Sequence, residues 1–342
     1  MTVRHVEVCS GREGDRLPLA PPPDREVRRR GPDGLLRTLV AGLVLVAGLA
    51  LPVLAPQPAH AVPPGTYAYV PNFGSDDVSV VDTAANTVTT AIPVGDGPHG
   101  VAVTPDASRV YVTNAIGNDV SVIDTATDSV VATIPVGVTP FGAAVSPDGS
   151  RVYVTNANSS SVSVIDTATN TVVATVGVGT GPQDVVVSPD GSRAYASNSI
   201  SDTVSVIDTS TNSVVATIGV VDFPVGEAIT PDGTSVYVAG GNSDDVSVID
   251  TATNTVVATI PVGDFPYGVA VSPDGSRVYV TNRDSDDVSV IDTATNTVVA
   301  TIPAGDVPFG AAVSPDGTRV YVTNRDSDNV SVIDAATNTV VD

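Results

Sequence analysis

The sequence predicts an all-β chain made of seven copies of one four-stranded antiparallel unit. Tyr69, Tyr111, Tyr153, Tyr195, Tyr237, Tyr279 and Tyr321 are spaced 42 residues apart without a slip, and Asp82, Asp124, Asp166, Asp208, Asp250, Asp292 and Asp334 keep the same step. A period of this length held over most of a chain marks a repeat architecture. Within each period Val, Ile and Ala alternate with polar residues over four to seven positions, and no window holds a helical period.

One unit, from residue 267, reads YGVAVSPDGSRVYVTNRDSDDVSVIDTATNTVVATIPAGDVP. Its four apolar runs are GVAVS, RVYVT, VSVID and TVVATIP, here called strands A to D. Ser-Pro-Asp-Gly between A and B puts Pro where φ must be near −65° and Gly where φ is positive, which makes a tight hairpin. The Asp closing VSVID is placed to accept backbone N–H groups across the C–D turn, as Asx turns do. A single twisted sheet of this kind exposes two apolar faces, so sheets must stack. Four strands in about 40 residues, repeated seven times, favour stacking around an axis, a seven-bladed β-propeller, over a linear solenoid. The ends do not match. Pro63-Pro64-Gly65 falls in register with the Pro-Asp-Gly turn, so blade one is expected to begin at its B strand, and Asp342 aligns with Ala300 in mid-D strand. Incomplete closure at the termini follows, with a weak seam near 67–72. The pattern of 301–314, if continued after 342, would fill both gaps; a truncated record and an imperfect closure remain the two alternatives.

The chain has 342 residues, with 38 acidic residues, 15 Arg and no Lys, for a formal charge of −23. Nucleic acid and anionic membrane surfaces require clustered positive charge, so neither is an expected partner. Aromatics make up only 4 %, which leaves a core of β-branched residues and Ala.

Residues 1–61 read as an export leader. Eight Arg precede an uninterrupted apolar run over 39–51, and Ala59-His60-Ala61 supplies a small-residue cleavage site. Thirteen helical residues span roughly 20 Å, short of the ~30 Å hydrocarbon core, which favours a cleaved signal peptide over an anchor. The segment before the run is unusually long, so 1–26 is expected to be an extension ahead of the true start. Cys9 lies in the part removed, and 62–342 therefore has no thiol for a disulfide, thiolate metal site or nucleophile. It carries 7 Arg against 32 acidic residues, a formal charge of −25, and is expected to be secreted or held at the cell surface, with no membrane span.

YVTN at 111–114, 153–156, 279–282 and 321–324, together with PDG and VSVIDTATNTVVATIPVG, resembles the YVTN-family β-propeller repeat. That family is similar to surface-layer-type and other secreted prokaryotic propellers, and the likeness covers 66–342. Tyr69-Val70-Pro71-Asn72, Tyr195-Ala196-Ser197-Asn198 and Tyr237-Val238-Ala239-Gly240 depart from it. Related propellers serve as domains of haem and copper reductases and as lactonases. This chain has no C-x-x-C-H and few His, so the resemblance implies a scaffold rather than a chemistry.

Strand alternation puts the D–A and B–C loops on one face and the A–B and C–D turns on the other. The second face repeats almost unchanged, whereas the first varies from blade to blade, which suits a ligand-facing rim or drifting surface loops. The residue before the Gly of each A strand rings the channel mouth: His99, Phe141, Gln183, Val225, Tyr267 and Phe309. These side chains either line a small-molecule or peptide pocket or plug the channel top. Two residues break the repeat here. Asp184 stands where other blades have Gly, and Glu227, the only Glu after residue 26, stands where they have Val or Ala. A carboxylate in an apolar slot costs several kcal/mol unless it is solvated or paired, so Glu227 is expected to face channel water or a partner. The acidic loop with Asp284, Asp286 and Asp287 invites calcium, but lacks the Gly and terminal Glu of an EF-hand loop. No cofactor is expected. The function expected is a secreted binding scaffold that takes a protein, peptide or cell-wall polymer on the variable face. The alternative is a lactonase-like hydrolase or lyase in which Asp184 and Glu227, joined by His99, act around a cation at the channel mouth.

Overall fold

The computed structural model describes the backbone of Val44–Ala47 and all of residues 66–342. Apart from 44–47, the leader and its upstream extension lie outside the described residues. Seven sheets of four antiparallel strands are present, each with its strands in sequence order. Blade two shows the pattern with Pro98–Val103, Arg109–Asn114, Asp119–Asp124 and Ser129–Pro135 as A to D. One 3₁₀ turn, Ala157–Ser159, interrupts the strands. Among the described residues no helix is long and apolar enough to cross a membrane.

Burial falls from hub to rim. Strands A and B are covered on both faces, whereas Ser129–Pro135 alternates between exposed and partly buried positions. That alternation marks a strand with one face packed and one in water. Tyr111, Tyr153, Tyr195, Tyr237 and Tyr279 of the B strands are fully buried, as is the Ile before the Asp that ends each C strand, from Ile123 to Ile333. Their side chains make the inter-blade clusters: Ala102 and Tyr111 of blade two pack with Val152 and Val154 of blade three. Burial pushes the Tyr111 and Tyr237 phenols up to about 12.

The turns are built as the residues dictate. Gly149 of Ser-Pro-Asp-Gly has φ +74° and donates its N–H to the Ser146 carbonyl at 2.8 Å. Asp124 Oδ1 accepts the N–H groups of Ala126 at 2.9 Å and Thr127 at 3.1 Å, while Oδ2 pairs with Arg109 at 2.7 Å across the strands. At Asp208 the same turn adds the Ser210 hydroxyl, and these hydrogen bonds with the charge of Arg193 hold its carboxyl down at about 2.

Thr of YVTN joins one blade to the next. Thr155 Oγ1 accepts the N–H of Gly142 in its own A strand at 2.8 Å and donates to the Gln183 carbonyl of the following blade at 2.8 Å. Thr113 links to the Phe141 carbonyl, Ser197 to Val225 and Thr281 to Phe309 in the same way. Asn of YVTN pins the B–C hairpin: Asn114 Nδ2 donates to Asp119 Oδ1 and to Ser121 Oγ.

The ring closes differently from expectation. Blade one has an inner strand after all, because Val44–Ala47 pairs with the B strand Thr66–Asn72, Val44 opposite Tyr69 and Ala47 opposite Thr66. It lies between the inner strands of blades two and seven. The apolar run read as a leader thus contains a stretch that fits the missing position. At the outer edge of blade seven Thr339–Val340 pairs with Asp334 and Ile333, and the Val341 N–H and the Asp342 carbonyl carry the pairing on to Val332. At the seam Ala68 and Val70 of blade one pack with Ala312, Tyr321 and Val332 of blade seven.

Two outcomes follow for stability. Asp166, Asp208, Asp250, Asp292 and Asp334 all have lowered pKa values in the folded state, so their contribution is present above the unfolded value near 3.9 and is lost as pH falls through the folded values. Thermal melts should show a plateau above about pH 4 and a fall towards about pH 2, with the fall made shallower by Asp208→Asn. Thr155→Val keeps the shape of the side chain but strips partners from a buried N–H and a buried carbonyl. Urea unfolding should show a loss of about 2 kcal/mol.

Candidate functional site

On the variable face the six mouth residues come together as a packed plug. His99 is 0 % exposed and Tyr267, the most exposed of the six, only 9 %. The His99 and Phe141 rings meet edge to face at 4.3 Å, and those of Tyr267 and Phe309 lie 3.8 Å apart at 38°. Gln183 Nε2 donates to Ser199 Oγ at 3.2 Å. Val225, Tyr267 and Phe309 belong to a core cluster that reaches Phe73 of blade one.

Beside this plug lies an arc of side chains that the sequence reading passed over. In the D–A loops of blades five, six and seven, the residue before the A-strand Pro is Phe223, Phe265 or Val307, with φ of +56°, +50° and +55°. Blades two and four use Gly97 and Gly181 at the same place, with φ +64° and +67°. Positive φ is costly for any residue with a Cβ and unusual for a bulky or β-branched one. All three side chains are half-buried against the plug cluster. The Phe223 and Phe265 rings are 6.2 Å apart, and Gly241 fits beside both: a Cβ there would stand 3.2 Å from Phe223 and 3.1 Å from Phe265. The Arg283 guanidinium sits 4.6 Å over the Phe265 ring while its Nε is 3.5 Å from Asp284 Oδ1. The signal available in the sequence was the change from Gly-Pro to Phe-Pro or Val-Pro in three successive loops.

Asp184 and Glu227 lie together one layer deeper, on neighbouring A strands. Asp184 Oδ1 accepts the Val185 N–H at 2.7 Å and Oδ2 accepts the Glu227 N–H at 3.0 Å. The Asp side chain therefore bridges blades four and five through the backbone. Ser197 replaces Thr in this blade, and its shorter side chain still reaches the Asp184 N–H at 3.1 Å and the Val225 carbonyl at 2.7 Å. Glu227, expected to face channel water or a partner, is 3 % exposed. Its charge acts on the Tyr195 phenol, whose pKa is raised first by burial and then by Asp190 and Glu227. Glu227 also borders a cavity of about 280 Å³ in the half of the channel towards the Pro-Asp-Gly turns. Ala102, Ala144, Ala228 and Ala270 line it, and Glu227 is the one ionisable residue in its wall. This cavity lies towards the constant face, opposite the mouth residues.

Asp284, Asp286 and Asp287 do not converge. Asp284 faces Arg283, Asp286 Oδ1 accepts the Val307 N–H at 2.9 Å, and Asp287 Oδ1 accepts from Asn282 Nδ2 at 2.6 Å. Burial and the neighbouring carboxylates raise Asp284, with Arg283 opposing them. Among the described residues no three His, Cys, Asp or Glu side chains are grouped to hold a metal ion.

Two family models match parts of the chain. A YNCE-like β-propeller model matches 34–159 and 106–189, and a lactonase, 7-bladed β-propeller model matches 253–340. Both are propeller families, in agreement with the fold. Among solved structures, Kuenenia stuttgartiensis hydrazine synthase is 28 % identical with a TM-score of 0.73, over 79 % of this chain and 92 % of that one. A functionally unknown protein from Desulfotomaculum acetoxidans DSM 771 has the same TM-score at 19 % identity, over 81 % of this chain and 94 % of that one. PE-PGRS family protein PE_PGRS18 of Mycobacterium tuberculosis (strain ATCC 25618 / H37Rv) is 58 % identical over 45 residues, 13 % of this chain. Those residues span 10 % of that curated relative.

Val101, Val185 and Val269 fill the position of Glu227 in blades two, four and six and are at most 5 % exposed.

Proposed function

We propose that the chain is an exported binding scaffold of the cell envelope or extracellular space, and that its variable face takes a protein, peptide or cell-wall polymer around the arc Phe223–Phe265–Val307. The observation that carries this reading is the left-handed backbone at three bulky apolar residues in successive blades. Glycine performs the same turn in blades two and four without that cost. Strain of about 1–3 kcal/mol per residue persists where the surroundings enforce it and clusters at binding sites. Here it places two aromatic rings and an Arg together, the residue types that dominate binding energy at interfaces, on the face whose loops differ from blade to blade.

The lactonase-like alternative draws on the match over 253–340 and on the contact between Asp184 and Glu227. That match does not include either carboxylate, and both oxygens of Asp184 already accept backbone N–H groups. Binding without turnover is the better-supported reading.

Phe223→Gly with Phe265→Gly separates display from folding. Glycine relieves the backbone strain while the lost packing offsets the gain, so stability should change by less than about 1 kcal/mol. Retention of the purified chain on isolated cell-wall polymer, or on immobilised envelope proteins, should fall by about tenfold or more. Equal retention of the variant and the unmodified chain would remove the arc from the function.

A further inference from the structure

We propose that the hub cavity on the constant face is a binding site for a small alkylammonium ion, whose charged head meets the Glu227 carboxylate and whose hydrocarbon body lies against the Ala and Val side chains of the wall. This site is separate from the arc on the variable face. The packed mouth residues close the channel on that side, where none of the six is more than 9 % exposed. On the constant face the wall ends at prolines of the A–B turns. Pro147 and Pro189 are exposed and Pro105 and Pro231 half-buried. The cavity of about 280 Å³ is therefore entered between these turns, and its described wall comes from the inner strands of blades two to six.

The chemistry of the wall selects the ligand. At the position of Glu227 the other blades with a described A-strand side chain have Val101, Ala143, Val185, Val269 and Ala311, and Val185 and Val269 also line the cavity. An aliphatic wall broken by one carboxylate suits a ligand with one positive charge on an apolar body. A charge-assisted hydrogen bond fixes the head, and burial of the hydrocarbon adds affinity. Drug-sized ligands take pockets of roughly 300–1,000 Å³, so the occupant here is an amine of a few carbons. A bare divalent ion suits the wall poorly, because hard cations want about six to eight oxygens. The wall hydroxyls are already committed: Ser146 Oγ donates to Asp148 Oδ1 and accepts the Arg151 N–H, and Thr230 Oγ1 donates to Asp232 Oδ1 and accepts the Ser235 N–H. The entrance favours the same sign of charge. Asp106, Asp148, Asp190, Asp232, Asp274 and Asp316 follow the turn Pro or its equivalent and are all exposed. Hydrogen bonds from neighbouring Ser hydroxyls lower the pKa of Asp148, Asp190 and Asp274, which keeps this rim ionised. The nearby Arg109, Arg151, Arg193 and Arg277 pair instead with the Asp closing each C strand. A ring of one sign around a low-dielectric opening concentrates counter-ions there.

The test titrates the full chain, with its Ala and Val methyl groups labelled, with tert-butylammonium chloride and separately with tert-butanol, a neutral molecule of the same shape. By NMR the methyl signals of Ala144, Ala228 and Ala270 should move saturably with the ammonium ion, while those of Val307 on the variable face stay still. The ammonium ion should bind at least about tenfold more tightly than the alcohol, and Glu227→Gln should remove that difference. Glu227→Val gives blade five the residue of blades two, four and six, so it decides the matter if the Gln variant does not fold. It should also abolish the preference for the ammonium ion. No saturable shift, shifts at Val307 alone, equal affinity for the alcohol, or a preference that survives substitution of Glu227 would each overturn the proposal. Displacement of the ammonium ion by equimolar calcium would make a metal the occupant and overturn it equally.

Discussion

Everything in this molecule depends on how closely neighbouring inner strands approach at the hub. At Gly226 and Gly268 the next blade's carbonyl occupies the space of a Cβ, so the strands meet backbone to backbone. At these two glycines no side chain mediates the contact from within the A strand itself, as Asp184 does between blades four and five. A hydroxyl from strand B does so instead. Thr113, Thr155, Ser197 and Thr281 each accept from their own A strand and donate to the mouth residue of the next blade. Gly sets the spacing and Thr satisfies the groups that the spacing buries, which is the accounting that buried backbone demands.

That pairing explains where departures are tolerated. Asp184 replaces Gly in the blade where Thr becomes Ser197, and its carboxylate takes up the Glu227 N–H across the interface. Blade five has Ala239 in the hydroxyl position and blade one has Pro71. Pro71 pairs with Val78 of strand C and, having no N–H, donates nothing to a ladder at this position. The irregular blades are thus four, five and one, and each irregularity sits at the hub rather than on the outer strands.

Much of the fold was legible because a 42-residue period repeats each physical decision in up to seven copies. Pro-Asp-Gly, the Asx turns and the alternating D strand were all readable from local chemistry, and the structure has them where that chemistry puts them. What the residues did not disclose was three-dimensional balance. Phe141 and Tyr267 at a channel mouth read equally as lining or plug, and only the ring contacts with His99 and Phe309 distinguish them. Glu227 was visible as an exception, but its depth depends on how tightly blades four and five close. Val44–Ala47 was hidden for another reason: an apolar run suits a leader and a buried strand equally well, and periodicity cannot separate the two.

The two faces of the ring divide the physical tasks between them. On the constant face the turns relieve strain, with Gly149, Gly191, Gly233, Gly275 and Gly317 at positive φ and each Asp fixed by its neighbours' hydroxyl and N–H groups. That face varies little, with Ala107 at φ +60° standing where the other five described A–B turns have Gly. On the variable face the same rigid hub holds Phe223, Phe265 and Val307 in a conformation they would not adopt alone. Asp202 Oδ1 accepts the Phe223 N–H at 3.0 Å, Asp244 that of Phe265 at 3.1 Å and Asp286 that of Val307 at 2.9 Å. These Asp residues come from the B–C loop of the preceding blade, so each strained loop is clamped from outside its own sheet. One carboxylate in each of these acidic loops therefore has a definite mechanical role, accepting the N–H of the residue at positive φ in the next loop, as Asp76 does for Gly97 in blade two.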